Sequence, residues 1–204
     1  MNEPLPGRNL TASPSRVSSD DRARLLGQKG VMLWFSGLSG SGKSTIALAL
    51  EQALHARGRL AYILDGDNIR LRLNQDLGFS EADREENLRR VAEVGHLLTD
   101  CGVIVISAFI SPLRVSRARA RAILGAERFL EIYVSTDLSV CESRDVKGLY
   151  RKARAGEIPH FTGVNSPFEP PEHADLALDT SVLPVETSVA RLVDLLRERG
   201  FIPS

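Results

Sequence analysis

The sequence predicts an α/β fold, a mostly parallel five-stranded sheet with helices on both faces and an added lid segment. Two observations predict it. Short apolar runs alternate with longer stretches of helical periodicity, which is typical of strand–helix–strand units. A glycine-rich loop, residues 37–44, lies between the first apolar run and the first strong helical stretch. In such sheets ligands bind at the carboxyl ends of the strands, so we expect the functional residues at that edge.

The apolar runs and the helical stretches can each be placed along the chain. We predict strands at residues 31–35, 60–64, 102–107, 128–134 and 175–179. We predict helices near residues 43–57, 81–101, 113–124, 137–144 and 185–199. Ser80 followed by Asp83 is a capping-box-like start for the long second helix, and Gly102 is a plausible stop.

Two segments differ from this alternation. Residues 1–28 are polar and without a clear period, so we predict a flexible N-terminal tail with a short helix near 20–26. Residues 29–204 then form one domain. Within it, residues 145–172 are rich in Gly, Pro, Lys, Arg and His and are long for a connection, so we predict a lid there.

Composition excludes several classes of function. The 26 basic residues are balanced by 26 acidic ones, so the chain lacks the basic footprint of a nucleic-acid-binding protein. Its apolar runs are far too short for a membrane span, and no secretory signal is evident, so we expect a cytoplasmic protein. We expect both cysteines, Cys101 and Cys141, to be reduced core thiols.

The glycine-rich loop fits the pattern G-x-x-x-x-G-K-[ST] of the phosphate-binding P-loop, in the strand–loop–helix context that the pattern requires. Glycines let successive backbone N–H groups point at one anion, and the helix N-terminus favours negative charge. We expect Lys43 to reach the β- and γ-phosphates of ATP as an exposed loop cation, and the Ser44 hydroxyl to bind Mg²⁺.

The second predicted strand ends in Asp65-Gly-Asp67-Asn. Asp67 is a candidate to accept a proton from an attacking hydroxyl, and Asp65 to hold or orient Mg²⁺. The alternative is an ordinary Asp/Gly/Asn turn. The third strand ends without an acidic residue, where many P-loop NTPases carry one, and this favours a small kinase over a motor or switch ATPase.

Two further groups of polar residues are candidates for acceptor binding. Ser111 precedes Pro112 after the third strand; the alternative is that Ser111 caps the next helix, with Pro at its first position. Arg suits phosphate or sulfate, but a solvated helix face with i,i+4 ion pairs is the alternative for some of the polar residues that begin the long helix. These residues are Arg84, Asn87, Arg89 and Arg90.

Together these stretches resemble the adenylyl-sulfate kinase (APS kinase) family, from about residue 27 to the C-terminus. The P-loop alone is unspecific, whereas the ordered set Asp-Gly-Asp-Asn, Phe-Ile-Ser-Pro, Gly-Leu-Tyr and Phe-Thr-Gly is highly specific. The segments that carry the resemblance are residues 33–45, 64–70, 76–90, 108–112, 141–158 and 161–163. The resemblance implies transfer of the ATP γ-phosphoryl group to the 3′-hydroxyl of adenosine 5′-phosphosulfate, with Mg²⁺, in sulfate assimilation.

The resemblance also implies roles for single residues. Asp67 matches the catalytic base, and Ser111 matches a position described as a phosphoserine intermediate, although direct in-line transfer needs only positioning and charge stabilisation. Phe79 and Phe161 match the pair that sandwiches the acceptor adenine. The remaining acceptor contacts implied are Arg70, Arg84, Asn87, Ile110 and Ser111. The ATP contacts implied are Gly37, Leu38, Ser39, Gly40, Ser41, Gly42, Lys43, Ser44, Thr45, Arg144 and Lys147.

This sequence departs from the family pattern at Val146, Asn165 and Phe168, where Pro, Asp and Tyr are common, so the details of the lid are open. The alternatives are a small P-loop kinase for a nucleoside monophosphate or sugar, a catalytically dead binding module, and a GTP-binding switch. Residues 145–148 fit the loose D-x-x-G pattern of a switch, but the sequence has no Asn-Lys-x-Asp stretch for guanine. We expect a homodimer with a functional link to ATP sulfurylase.

Overall fold

The computed structural model describes residue 13 and residues 15–203. Its strands are β1 (Val31–Ser36), β2 (Ala61–Asp65), β3 (Ile104–Ala108), β4 (Phe129–Val134) and β5 (Leu176–Leu178). Its helices are α1 (Ser19–Leu26), α2 (Lys43–His55), α3 (Gly66–Arg70), α4 (Glu81–Asp100), α5 (Arg114–Leu124), α6 (Leu138–Arg144), α7 (Leu149–Arg154) and α8 (Val185–Glu198).

All pairings in the sheet are parallel, in the order β2-β3-β1-β4-β5, so the predicted fold class is confirmed. The central strand β1 is buried along its whole length, which explains its unbroken apolar sequence. One face of the sheet packs against α2 and α8, and the other against α4 and α5. The sheet therefore has a hydrophobic core on each side.

The predicted boundaries of α4 are confirmed by its capping groups. The Ser80 hydroxyl accepts a hydrogen bond from the Asp83 backbone N–H at 3.1 Å. At the other end Gly102 has φ +89°, a left-handed conformation that stops the helix. The prediction of a helix near 20–26 is also correct. Its Arg22 forms an ion pair with Asp100, and this contact ties α1 to the end of α4.

One local expectation is wrong, and two of the alternatives are excluded. Cys101 is exposed at the end of α4, so of the two thiols Cys141 alone is a core residue, where burial raises its pKa. The helix after Pro112 begins at Arg114 with Leu113 as its N-cap, so Ser111 does not cap it. The Asp-Gly-Asp-Asn segment is not a simple turn but enters the short helix α3, which Asp65 caps.

The parallel sheet places the ends of its strands at one edge of the molecule. Asp65 of β2 and Phe35 of β1 both pair with Ala108 of β3, so the three strands end at the same level. The P-loop (residues 37–45) follows β1, and the segment of residues 109–112, here called the acceptor loop, follows β3. Among the described residues, no helix is long and apolar enough to cross a membrane.

Candidate active site

The P-loop has a backbone conformation that requires its glycines. Gly37 and Gly40 have φ values of +146° and +74°. A Cβ atom on Gly37 would lie 2.5 Å from the Val134 carbonyl oxygen, and one on Gly40 would lie 2.9 Å from that of Cys141. Both distances are too short for a real side chain. The loop therefore presses against its neighbours in the shape that phosphate binding requires.

Lys43 points into this loop. Its ammonium group donates to the carbonyl oxygens of Gly37 at 2.8 Å and Leu38 at 2.6 Å, and to Ser41 Oγ at 3.3 Å. The residue is 8% exposed, so the expectation of an exposed cation is wrong. Burial lowers the pKa of Lys43 to about 8, because the charged form loses water that the carbonyl oxygens only partly replace.

Ser44 and Asp65 together fit the predicted magnesium site. The Ser44 hydroxyl donates to Asp65 Oδ2 at 3.2 Å, while Asp65 Oδ1 accepts from the backbone N–H of Asp67 at 3.0 Å. Mg²⁺ is commonly held by one or two carboxylates together with substrate phosphates. The described part of the chain contains no cluster of three or more His, Cys, Asp or Glu side chains suited to a metal.

Asp67, the predicted base, lies in the first turn of α3 and forms an ion pair with Lys147 of the predicted lid. The two side chains are 71% and 60% exposed. The pair joins two segments 80 residues apart in sequence. It therefore places the lid lysine directly beside the carboxylate that the sequence assigns to proton transfer.

Arg144 lies at the end of α6, beside the P-loop. It donates to the Gly40 carbonyl oxygen at 3.3 Å and to Thr180 Oγ1 at 2.7 Å. Thr180 and Thr136 were not predicted, yet their hydroxyls both donate to the Ser41 carbonyl oxygen, at 2.8 and 3.2 Å. Their position just after the last two strands was the sequence signal for such a role.

The predicted acceptor residues of the α3–α4 region form one cluster around Phe79. The guanidinium of Arg70 lies 4.5 Å from the Phe79 ring centroid and donates to the Gly78 carbonyl oxygen at 2.8 Å. Arg84 Nε donates to the Phe79 carbonyl oxygen at 3.0 Å. Burial, and then the charge of Arg84, lower the pKa of Arg70. Phe79 itself is 69% exposed, so its ring is open to a ligand.

The other polar residues of α4 divide into two kinds. Asn87 is buried, and its side-chain oxygen accepts from Asn74 Nδ2 at 2.9 Å. This contact ties Asn87 to the segment between α3 and α4. Arg89 and Arg90 instead pair with Glu86, and Arg90 also holds Asp76 in a two-bond contact. The alternative of a solvated, ion-paired helix face is therefore correct for these two arginines.

The acceptor loop lies against the P-loop. The Ile110 carbonyl oxygen accepts from the backbone N–H of Gly37 at 3.2 Å. Ser111 is buried, and its hydroxyl accepts from Trp34 Nε1 at 3.0 Å. Ser111 also has φ +46°, which is uncommon for a residue other than glycine. The acceptor loop is thus held in an unusual conformation next to the P-loop.

Comparison with known proteins decides the family. Residues 29–179 match the family described as adenylylsulphate kinase. The chain belongs to the adenylyl-sulfate kinase family. An adenylyl-sulfate kinase of Bacteroides fragilis is 60% identical over 183 residues, which span 90% of this chain and 91% of that protein.

Solved structures of the same family agree with this assignment. The Mycobacterium tuberculosis APS kinase in complex with AMPPNP and APS superposes with a TM-score of 0.80 at 50% identity, over 83% of this chain and 99% of that one. A hexameric APS kinase from Thiobacillus denitrificans has a TM-score of 0.67 at 32% identity, over 90% of this chain and 32% of that one. The resemblance stated from the sequence is therefore confirmed.

Within this adenylyl-sulfate kinase fold the two predicted stacking rings have different surroundings. Phe161 is 7% exposed, in a small cluster with Cys141, Tyr150 and Ala153. Its ring meets Tyr150 edge-on, with centroids 5.0 Å apart at 80°. Phe79 is exposed beside Arg70, so the sandwich of one adenine by both rings stays a prediction.

The lid has its own internal structure. Asp145 accepts hydrogen bonds from the backbone N–H groups of Tyr150 and Arg151, so the D-x-x-G segment begins α7. The Tyr150 hydroxyl donates to the Ser39 carbonyl oxygen at 2.9 Å and so attaches this helix to the P-loop. At the positions that depart from the family pattern, Val146 is exposed and Asn165 accepts from the Phe161 backbone N–H.

Proposed function

We propose that this chain transfers the γ-phosphoryl group of ATP to the 3′-hydroxyl of adenosine 5′-phosphosulfate, giving 3′-phosphoadenosine 5′-phosphosulfate and ADP. The observation that carries the proposal is the position of Asp67. Its backbone N–H donates to Asp65, which accepts from Ser44 of the P-loop, and its exposed carboxylate pairs with Lys147. The M. tuberculosis APS kinase, solved with AMPPNP and APS, supports the choice of both substrates.

Donor binding falls to residues 37–45. Their backbone N–H groups and Lys43 hold the phosphates and stabilise the charge of the transferring group. Arg144 and Lys147 add cationic contacts from the lid side. Ser44 and Asp65 would hold Mg²⁺, which would supply positive charge to neutralise the ATP phosphates. The Thr136 and Thr180 contacts to the Ser41 carbonyl oxygen hold the P-loop in place while it binds the phosphates.

The acceptor reacts by in-line displacement. The 3′-oxygen forms a bond to the γ-phosphorus, the bond from that phosphorus to the β,γ-bridging oxygen breaks, and the 3′-hydroxyl proton passes to Asp67. Lys147 must release Asp67 for this step, because its ammonium group occupies the carboxylate that would accept the proton. Binding of the ATP phosphates by Lys147 would free the Asp67 carboxylate before the proton is transferred.

The acceptor itself is held by side chains of several elements. We assign these contacts to Arg70, Phe79, Arg84, Asn87, Ile110, Ser111 and Phe161. The Ser111 hydroxyl is buried against the Trp34 indole, which supports a binding role and argues against a phosphoserine intermediate. Arginines placed for a sulfate group would remain unpaired with AMP, so the site should discriminate between these acceptors.

ADP release in a coupled assay tests the proposal. With ATP and Mg²⁺, we expect adenosine 5′-phosphosulfate to be used at least about 10²-fold more efficiently than AMP, as kcat/KM. Gluconate should give no release above the rate without an acceptor. Equal rates with AMP, or a preference for gluconate, would replace this function with that of another small P-loop kinase.

The organisation of the chain completes the proposal. Residues 29–204 form one kinase domain, and residues 145–172 form the lid that closes on the substrates. The predicted tail, residues 1–28, lies in part outside the described residues, and its described part contains α1, which is tied to α4 through Arg22 and Asp100. We further propose a cytoplasmic homodimer that works with an ATP sulfurylase. Light scattering of the purified chain tests the dimer.

A further inference from the structure

Arg117 of α5 is a buried cation that the proposed reaction does not use. It is 2% exposed and donates four hydrogen bonds. Nε donates to Glu131 Oε1 at 2.6 Å, and Nη2 donates to the Glu169 carbonyl oxygen at 2.7 Å. Nη1 donates to the carbonyl oxygens of Ser111 at 2.9 Å and Pro112 at 3.1 Å. The planar fork of a guanidinium is the group that can serve all these directions at once.

The carbonyl partners of Arg117 belong to two segments of the site. Ser111 and Pro112 are in the acceptor loop, and Glu169 is near the end of the lid. The two segments also contact each other, because the Glu169 backbone N–H donates to the Pro112 carbonyl oxygen at 2.9 Å. Arg117 therefore lies under the seam where the lid returns to the acceptor loop.

Aromatic contacts extend this seam. The Phe168 ring stacks on Tyr133 of β4, with centroids 5.8 Å apart at 14°. The guanidinium of Arg117 lies 5.8 Å from the centroid of the same Phe168 ring. Phe168 is one of the positions where this sequence departs from the family pattern. The lid end is thus attached to the sheet through Arg117 and Tyr133 together.

The backbone of Ser111 needs such support. A non-glycine residue at φ +46° persists only when its surroundings hold it there. Arg117 holds the Ser111 carbonyl group, and Trp34 holds its hydroxyl. The P-loop, by contrast, has its own supports in Thr136, Thr180 and Tyr150. Loss of Arg117 should therefore disturb the acceptor loop more than the phosphate loop.

We propose that Arg117 is a positioning residue that sets the acceptor loop and the lid end in one arrangement, and so determines acceptor affinity. The inference rests on the proposed function, in which Ile110 and Ser111 contact the acceptor. Glu131 neutralises the buried guanidinium and orients it, since an unpaired buried charge is strongly unfavourable.

The test compares Arg117→Lys and Arg117→Met with Leu196→Ala as a control for stability. Leu196 is fully buried on the opposite face of the sheet, so its loss lowers the melting temperature without touching the acceptor loop. We expect Arg117→Lys to raise the KM of the acceptor about tenfold or more, with the KM of ATP changed less than about twofold. Arg117→Met should raise the acceptor KM further, and Arg117→Lys alone carries the test if the Met variant does not fold.

Hydrogen exchange gives a readout that does not depend on which acceptor is used. In Arg117→Lys we expect faster exchange at the backbone N–H of Glu169, which bonds to Pro112, with unchanged exchange at Ile46 in α2. If adenosine 5′-phosphosulfate proves not to be the acceptor, the proposed function fails but this exchange result still decides the role of Arg117. An acceptor KM and a Glu169 exchange rate that move no more than in Leu196→Ala would overturn the proposal.

Discussion

The P-loop and the acceptor side of the site differ in how completely the fold itself holds them. Lys43 is buried among carbonyl oxygens, and the Ser41 carbonyl oxygen accepts from two threonines. On the acceptor side, Asp67, Lys147 and Phe79 stand largely in water. The fold itself therefore holds the P-loop closely, whereas Asp67, Lys147 and Phe79 lack such packing.

Lys43→Ala should have the largest effect, because it removes the cation that lies inside the P-loop. We expect kcat to fall at least about 10³-fold, since Lys43 stabilises charge that develops on the transferring phosphoryl group. The fold should persist, because removing a buried ammonium group also removes its desolvation cost. ADP release and a thermal melt measure both. Lys29→Ala, at an exposed position two residues before β1, is the matched control, and near-normal turnover of Lys43→Ala would refute the P-loop assignment.

Asp67→Asn tests the exposed carboxylate on the acceptor side of the site. Asn keeps the shape of the side chain but cannot accept the 3′-hydroxyl proton, so kcat should fall about 10²-fold or more while the KM of ATP changes little. Asp194→Asn on α8, which removes an exposed carboxylate paired with Arg197, should be neutral. Steady-state kinetics with both substrates gives the answer. A change confined to KM would make Asp67 a binding residue and not a base.

Phe79→Ala and Phe161→Ala should differ in their effects on stability, although the sequence predicts the same role for both rings. Removal of the exposed Phe79 ring should weaken acceptor binding by about 1–3 kcal/mol with little loss of stability. Buried Phe161 should in addition lose about 3–5 kcal/mol of unfolding free energy, because its removal leaves a cavity beside Tyr150. Acceptor KM values and urea unfolding distinguish them. If stability falls with unchanged acceptor KM in both variants, neither ring stacks on the substrate.

The smallest expected effect is a pH dependence of stability that originates in the P-loop. Burial lowers the pKa of Lys43 to about 8, while an unfolded lysine titrates near about 10.4. Between these values the unfolded chain binds a proton that the folded chain does not, so the free energy of unfolding should rise with pH there. We expect a gain on the order of 1–2 kcal/mol between pH 8 and 10 that Lys43→Met lacks.

Urea unfolding of the wild type and of Lys43→Met at several pH values measures this gain. The free energy of unfolding of the wild type minus that of Lys43→Met should be constant below about pH 8 and should rise above it. A difference that stays constant up to pH 10 would mean that Lys43 keeps its ordinary pKa in the fold.

The sequence by itself determined the strands, the main helices and the P-loop, because each depends on residues close together in the chain. Periodicity located β1 and α4 within a residue or two, and the P-loop glycines have the unusual φ values that their spacing predicted. Asp65 at the end of β2 was also identified correctly as a neighbour of the phosphate loop, since the carboxyl ends of parallel strands share one edge.

Tertiary structure alone decided the contacts between distant segments. Lys147 reaches Asp67 across 80 positions, and Thr180 reaches the Ser41 carbonyl oxygen across 139. The burial of Lys43 and Phe161 and the four bonds of Arg117 likewise depend on which loops the sheet order brings together. Local backbone preferences are set by residues within about one helical turn, but such pairings depend on the packing of the whole sheet, which no short stretch of sequence encodes.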